Sequence, residues 1–135
     1  MNIEIRASNS RIAKLASPSR FSGSVYLDAL VAATGPSRLN ATTVTFPPGA
    51  RTAWHSHDFR QVLLVTVGTG FVQVRGEPAH PIHPGDVVEI PPEVVHWHGA
   101  APGSLFAHLA LLESDEAGTT WLDHVADAHY AAATR

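Results

Sequence analysis

Two histidines, His55 and His57, stand one residue apart in the run Trp54-His55-Ser56-His57-Asp58-Phe59-Arg60-Gln61. On an extended strand side chains alternate with period two, so both imidazoles project to one face. Gln61, four residues past His57, rejoins that face if the chain turns between them. His96, in Pro91-Pro92-Glu93-Val94-Val95-His96, ends a second strand that opens at Gly85. Three imidazole nitrogens and one amide oxygen from two strands form a donor set of intermediate hardness, suited to divalent Mn, Fe, Co, Ni or Zn. A lone H-x-H is as often an ordinary strand pair as a ligand pair. The later His96, with Gly49 and Gly68 punctuating the first segment, shifts the balance toward a metal.

Composition bounds what surrounds these residues. A chain of 135 residues is most simply one domain, 1–135, large enough to bury a core without staples. Its formal net charge of −3 and lack of a basic block exclude a nucleic-acid footprint. The absence of cysteine excludes disulfides, thiolate metal sites and cysteine nucleophiles. The first residues lack an apolar leader core and no apolar run reaches membrane-spanning length, so the expectation is a cytoplasmic protein that binds a small molecule and no membrane.

The elements that must position the histidines are short strands. Residues 1–20 are polar turn material, read as an arm with one edge strand that a neighbouring subunit could exchange. Phe21 to Asp28 reads as a strand, and Asn40 to Phe46 as a β-branched one. Val62-Leu63-Leu64-Val65-Thr66-Val67 is apolar almost throughout, which predicts burial on both faces. Gly68-Thr69-Gly70 reads as a hairpin returning Phe71 to Arg75 alongside it. Val87 to Ile90, His96 to His98 and Leu105 to Leu112 complete the strands. A polar loop from Glu113 to Gly118 leads to a helix expected over 119–130, beyond which the chain frays. With no alternation of strands and helices, the pattern predicts an all-β sandwich or barrel whose core spans 40–113.

These motifs resemble the cupin superfamily. Its first motif maps onto Gly49, His55, His57, Gln61 and Gly68 with every spacing kept and glutamine in place of glutamate. Its second maps onto Gly85, Pro91, Glu93, His96 and Ala100, keeping the histidine but losing a glycine and an asparagine. The resemblance implies a double-sheet jelly-roll barrel with the metal inside. A narrower likeness runs from about Phe21 onward, through Pro48-Gly49-Ala50-Arg51-Thr52-Ala53-Trp54-His55, His83-Pro84-Gly85-Asp86-Val87-Val88, His96-Trp97-His98-Gly99-Ala100-Ala101-Pro102 and Trp121-Leu122-Asp123-His124-Val125. It is to small bacterial cupins that include manganese-dependent hydroxynitrile lyases, together with proteins described only as carboxymuconolactone-decarboxylase-like. That likeness implies Mn(II), with Fe, Zn, Ni or Co as alternatives, and a homodimer or homotetramer.

Within this frame the residues take roles. Gln61 leaves an all-neutral donor set, so a divalent ion keeps its full charge and favours anionic ligands such as cyanide, alkoxide or hydroxide. His108, Ala110 and Leu112 share one face of the last strand, and the resemblance turns His108 inward as the catalytic histidine. Thr42, Val44 and Phe46 share a face and are expected to line a substrate pocket with Trp54 and Leu112, although each could be plain barrel core. Trp97 and Trp121 are assigned to packing and His98 to structure. The resulting expectation is a lyase acting on cyanohydrins. Its rivals are an iron cupin dioxygenase and a non-enzymatic, metal-stabilised binding domain.

Overall fold

A computed structural model describes residues 2–113 and 118–135. Two antiparallel sheets face each other across a single interior, as the all-β, jelly-roll expectation requires. The first contains β1 (Lys14–Leu15), β3 (Tyr26–Val31), β4 (Asn40–Phe46), β12 (Phe106–Leu112), β7 (Gln61–Gly68) and β10 (Val87–Ile90), in the spatial order β1-β3-β4-β12-β7-β10. The second has the order β13-β6-β11-β5-β2, built from β13 (Thr119–Trp121), β6 (His55–His57), β11 (His96–Ala100), β5 (Arg51–Thr52) and β2 (Phe21–Ser22). Strand β8 (Gly70–Val74) adds to β11, and β9 (His80–Ile82) to β8. Among the described residues no helix is long and apolar enough to cross a membrane.

The inner faces interdigitate to make the core. Val44, Phe46, Val65, Phe106, Phe21 and Val25 are buried between the sheets, with Phe46 and Phe106 rings 5.5 Å apart. A second cluster lies outside the second sheet. There Trp54 and Trp97 pack with Val125 and with Tyr130 of helix α1 (Asp127–Ala133). Arg51 fastens that helix, donating to the Val125 carbonyl at 2.6 Å and the Asp127 carboxylate at 2.7 Å, with its guanidinium 4.4 Å from the Tyr130 ring centre.

Five local expectations give way. The Phe21–Asp28 strand is split, because Gly23 takes φ +90° and a side chain there would meet Ala50 Cβ at 2.7 Å. Gly68-Thr69-Gly70 is a corner between the sheets, since β7 pairs with β12 and β10 whereas β8 pairs with β11 and β9. Residues 119–121 form a strand on β6, and the helix begins only at Asp127. It then runs to Ala133, and Thr134 Oγ1 donates to the Tyr130 carbonyl, so the end is tied where fraying was expected. Residues 114–117 of the expected polar loop lie outside the described residues. Strand β7 also departs from its reading: Leu63 and Val65 are buried, but Val62 and Leu64, pointing the other way, are only half-buried.

Candidate metal and catalytic site

The histidines meet on the inner face of the second sheet. His55 and His57 lie on β6, and register across to β11 sets His96 opposite His55. Period-two alternation sends both β6 imidazoles into the barrel. The His55 ring centre is 5.0 Å from that of His57 and 4.3 Å from that of His96. Gln61 enters from β7 on the facing sheet, its Oε1 3.1 Å from His57 Nε2. All four residues expected to hold a metal are buried here, while the three histidines whose ring nitrogens lie within 4.8 Å of one another are His55, His96 and His98.

Each imidazole is held by the same nitrogen. His55 Nδ1 lies 2.8 Å from the Ala53 carbonyl and His96 Nδ1 2.9 Å from the Val94 carbonyl. His57 Nδ1 lies 2.8 Å from Thr119 Oγ1. A carbonyl accepts, so on His55 and His96 the proton sits on Nδ1 and Nε2 carries the free lone pair. His96 Nε2 is buried and has no partner. A buried lone pair without a donor, beside imidazoles fixed through their far nitrogens, is the arrangement that orients ligands for an ion. The residues fit a divalent metal.

Burial keeps these groups uncharged. Desolvation is the largest cause in every case. It holds His55 well below its ordinary value, with the neighbouring His96 adding to the effect, and lowers His96 to about 4. His57 is also lowered by burial, against the opposing influence of its bond to Gln61 and of nearby Asp58. Neutral imidazoles are the ligating form, so protons do not compete for the site near neutral pH.

His108 and His98 form the second half of the site. His108 is fully buried, its Nε2 lies 3.0 Å from His98 Nδ1, and burial lowers its pKa to about 3. The sequence assigns His98 to structure, yet one of its ring nitrogens lies within 4.8 Å of ring nitrogens of His55 and His96. One proton occupies the His98–His108 bond, and its direction decides the chemistry of both outer nitrogens. If His108 Nε2 donates, His108 Nδ1 keeps a lone pair and can act as a base, while His98 Nε2 carries a hydrogen. If His98 donates, its own Nε2 becomes a lone-pair ligand and His108 loses its basic nitrogen. Both outer nitrogens are buried without partners. With both rings neutral, a base at His108 and a ligand at His98 are mutually exclusive.

A cavity of about 570 Å³ opens beside these groups. Thr42, Val44 and Leu112 line it as expected, together with His55, His57, Gln61, His98 and His108. Two expected pocket residues do not. Trp54 neighbours His55 on an extended segment, so it faces the opposite way and packs outside the sheet with Trp97 and Val125. Phe46 has the right parity but sits deeper, fully buried against Phe106 and His108. Trp121, assigned to packing, both packs and lines: its ring stacks on His55 at 4.6 Å and an interplanar angle of 24°, and it borders the cavity. Thr119 escaped sequence reasoning because its role depends on β13 pairing with β6 across a long chain separation. At its outer end the cavity is bordered by Arg11, Ile12 and Lys14, with Arg11 Nε donating to the Asp28 carboxylate at 3.1 Å.

Comparison with known proteins agrees with this architecture. The family model described as a cupin domain matches residues 42–109. An (R)-mandelonitrile lyase from Granulicella tundricola is 47% identical over 111 residues, covering 82% of this chain and 85% of that protein. The crystal structure of a cupin-like protein from Thermotoga maritima superposes with a TM-score of 0.86 at 42% identity, covering 100% of this chain and 98% of the other. A polyketide cyclase from Streptomyces resistomycificus shares the fold alone, with a TM-score of 0.76 at 15% identity over 96% of this chain and 91% of its own.

Proposed function

The chain belongs to the cupin domain family, and from that premise we propose that it is a metal-dependent carbon–carbon lyase that cleaves and forms cyanohydrins. The observation that carries the reading is one cavity lined by His55, His57, Gln61 and the neutral His108, with His96 set opposite His55. The 47% identical relative is named for the same reaction type. The ion we assign is Mn(II); when bound, it supplies Lewis acidity beside a donor set that cancels none of its charge.

The chain's own residues account for the rest. Val44, Leu112 and Trp121 offer apolar wall to an aldehyde-derived side chain, and the imidazoles give its polar end one place to go. His108 takes the hydroxyl proton of the cyanohydrin. The oxygen's electron pair then forms the carbonyl, the C–C bond breaks, and its electrons leave with cyanide. The proton passes from His108 to cyanide, giving aldehyde and hydrogen cyanide and restoring the neutral imidazole. A pKa of about 3 makes an isolated imidazolium costly there, so the proton stays on His108 only while an anion is beside it.

The test is release of benzaldehyde from mandelonitrile by the Mn(II)-loaded protein, beside metal-stripped protein and His108→Ala. The expected outcome is activity in the loaded protein alone. No release above background sinks the cyanohydrin reading, and oxygen uptake by the Fe(II) form would point instead to an oxygenase.

A further inference from the structure

One register row joins the mouth of the cavity to His108. Across the six-stranded sheet Lys14 of β1 pairs with Leu27 of β3, Leu27 with Val44 of β4, and Val44 with His108 of β12. Directly opposed residues of paired strands share a face, and all four of these line the cavity. Lys14 therefore projects toward the same interior as His108, at the exposed end of a row whose other end is fully buried. Leu15, next in sequence, registers with Tyr26 and faces the other way. Between the lysine and the imidazole the wall of this row is aliphatic, made by Leu27 and Val44.

Charge at the mouth does not cancel. Arg11, Lys14 and Asp28 border the cavity there. Arg11 occupies the only carboxylate of the three, with Nε donating to Oδ1 at 3.1 Å and Nη2 to Oδ2 at 3.4 Å, and its Nη1 donates to the Arg6 carbonyl at 3.3 Å. Lys14 has no hydrogen bond or ion pair among the described residues. One ammonium is left over, aimed into a cavity of about 570 Å³, a volume in the range of about 300 to 1,000 Å³ that encloses drug-sized ligands.

We propose that Lys14 is a specificity-determining residue that receives a carboxylate at the far end of the substrate, so that the cavity selects aldehyde-derived ligands carrying an anionic group across an apolar spacer. The inference rests on the lyase reading for the reacting end alone. Geometry sets the spacer. Lys14 and His108 stand three strands apart, about 14 Å between their Cα atoms at about 4.8 Å per strand. The four-carbon lysine stem covers about 6 Å of that, which leaves roughly 8 Å, the length of a para-substituted benzene ring with its two end groups. Leu27 and Val44 flank such a spacer. The bland role for an inward lysine on β1, the outermost strand of its sheet, is to discourage edge-to-edge pairing; that role leaves the cavity indifferent to ligand charge.

The experiment is calorimetric titration of the Mn(II)-loaded protein with para-formylbenzoate and with its uncharged methyl ester at low ionic strength. It compares the unmodified chain with Lys14→Met, Lys14→Gln and Lys14→Arg, each verified by circular dichroism. The unmodified chain should bind the carboxylate about fivefold more tightly than the ester, the ratio that a partly solvated ion pair of about 1 kcal/mol gives. The ratio should fall to about one in Lys14→Met and Lys14→Gln, return in Lys14→Arg, and shrink as salt is added. Equal binding of the two ligands by the unmodified chain overturns the inference. So does a carboxylate preference that survives in the folded neutral variants, since the anion is then held elsewhere, as on the metal. Binding is read without turnover, so the two readings fail separately. A charge preference that depends on Lys14 in a protein that releases no benzaldehyde from mandelonitrile keeps the anion site and sinks the lyase; cleavage of mandelonitrile with no charge preference does the reverse.

Discussion

On the proposed reading His108 and Thr119 serve different steps, and their substitutions should separate. His108→Ala removes the proton acceptor but leaves the His55, His57 and His96 anchors intact, so cyanohydrin cleavage should fall at least about 100-fold with metal content unchanged by elemental analysis. Thr119→Val keeps shape but frees His57 Nδ1 from its 2.8 Å partner; metal affinity, measured by competition with a chelating dye, should weaken about tenfold. Equal metal loss in both variants would contradict the division of roles. At this scale much was legible beforehand. Spacing singled out His55, His57, Gln61 and His96 as candidates, and strand parity accounts for the inward course of the two β6 imidazoles. The same parity should have removed Trp54, which adjoins His55 and must face away. The part played by His98 was not legible, since it depends on a 3.0 Å bond to His108 from another strand.

Among the elements, the corner at Gly68 controls whether the two halves of the site meet. It carries the chain from β7, which holds Gln61, to β8, which pairs with the His96 strand. Gly68 has φ +69°, and a Cβ there would lie 1.6 Å from the Leu105 carbonyl oxygen. Gly68→Ala should therefore destabilise the fold by more than about 2 kcal/mol, read as a lowered midpoint in urea; an unchanged midpoint would mean the corner can relax. In sequence this corner is indistinguishable from a hairpin, because glycine marks both and only long-range pairing tells them apart. The strand at Thr119–Trp121 was hidden for the same reason. Its pairing with His55–His57 outweighs the helical spacing of Trp121, Leu122 and Val125.

Across the whole molecule, buried neutral histidines give stability a direction in pH. An unfolded chain protonates its imidazoles below about pH 6.5. Folding holds His96 neutral to about pH 4 and His108 to about pH 3. Between these limits the unfolded state binds more protons, so the contribution is fully present above pH 6.5 and is lost as pH falls. Each such group removes up to about 1.4 kcal/mol per pH unit within its window. Thermal melting of the metal-free protein should fall between pH 6.5 and pH 4, and a flat profile would refute the buried neutral state. Saturation with Mn(II) at about 100 times its dissociation constant should add about 2.7 kcal/mol at neutral pH, seen as a higher melting temperature that a chelator reverses. The all-β class was legible from strand spacing and turn residues; which sheet face lies open was not, because the sequence of β7 reads as interior on both sides.

The anchors of His55 and His96 have one further consequence. Each ring is tethered to a carbonyl two residues back on its own chain, Ala53 for one and Val94 for the other. Its rotation is therefore arrested by the local course of the backbone as the barrel folds, before any ion arrives. Little side-chain freedom at these two rings remains to be lost on metal binding. Exchanging one divalent ion for another leaves that protein contribution unchanged. The order in which ions load then follows their own coordination chemistry and their abundance in the surroundings, and a cell's metal supply becomes a determinant of which form of this barrel exists.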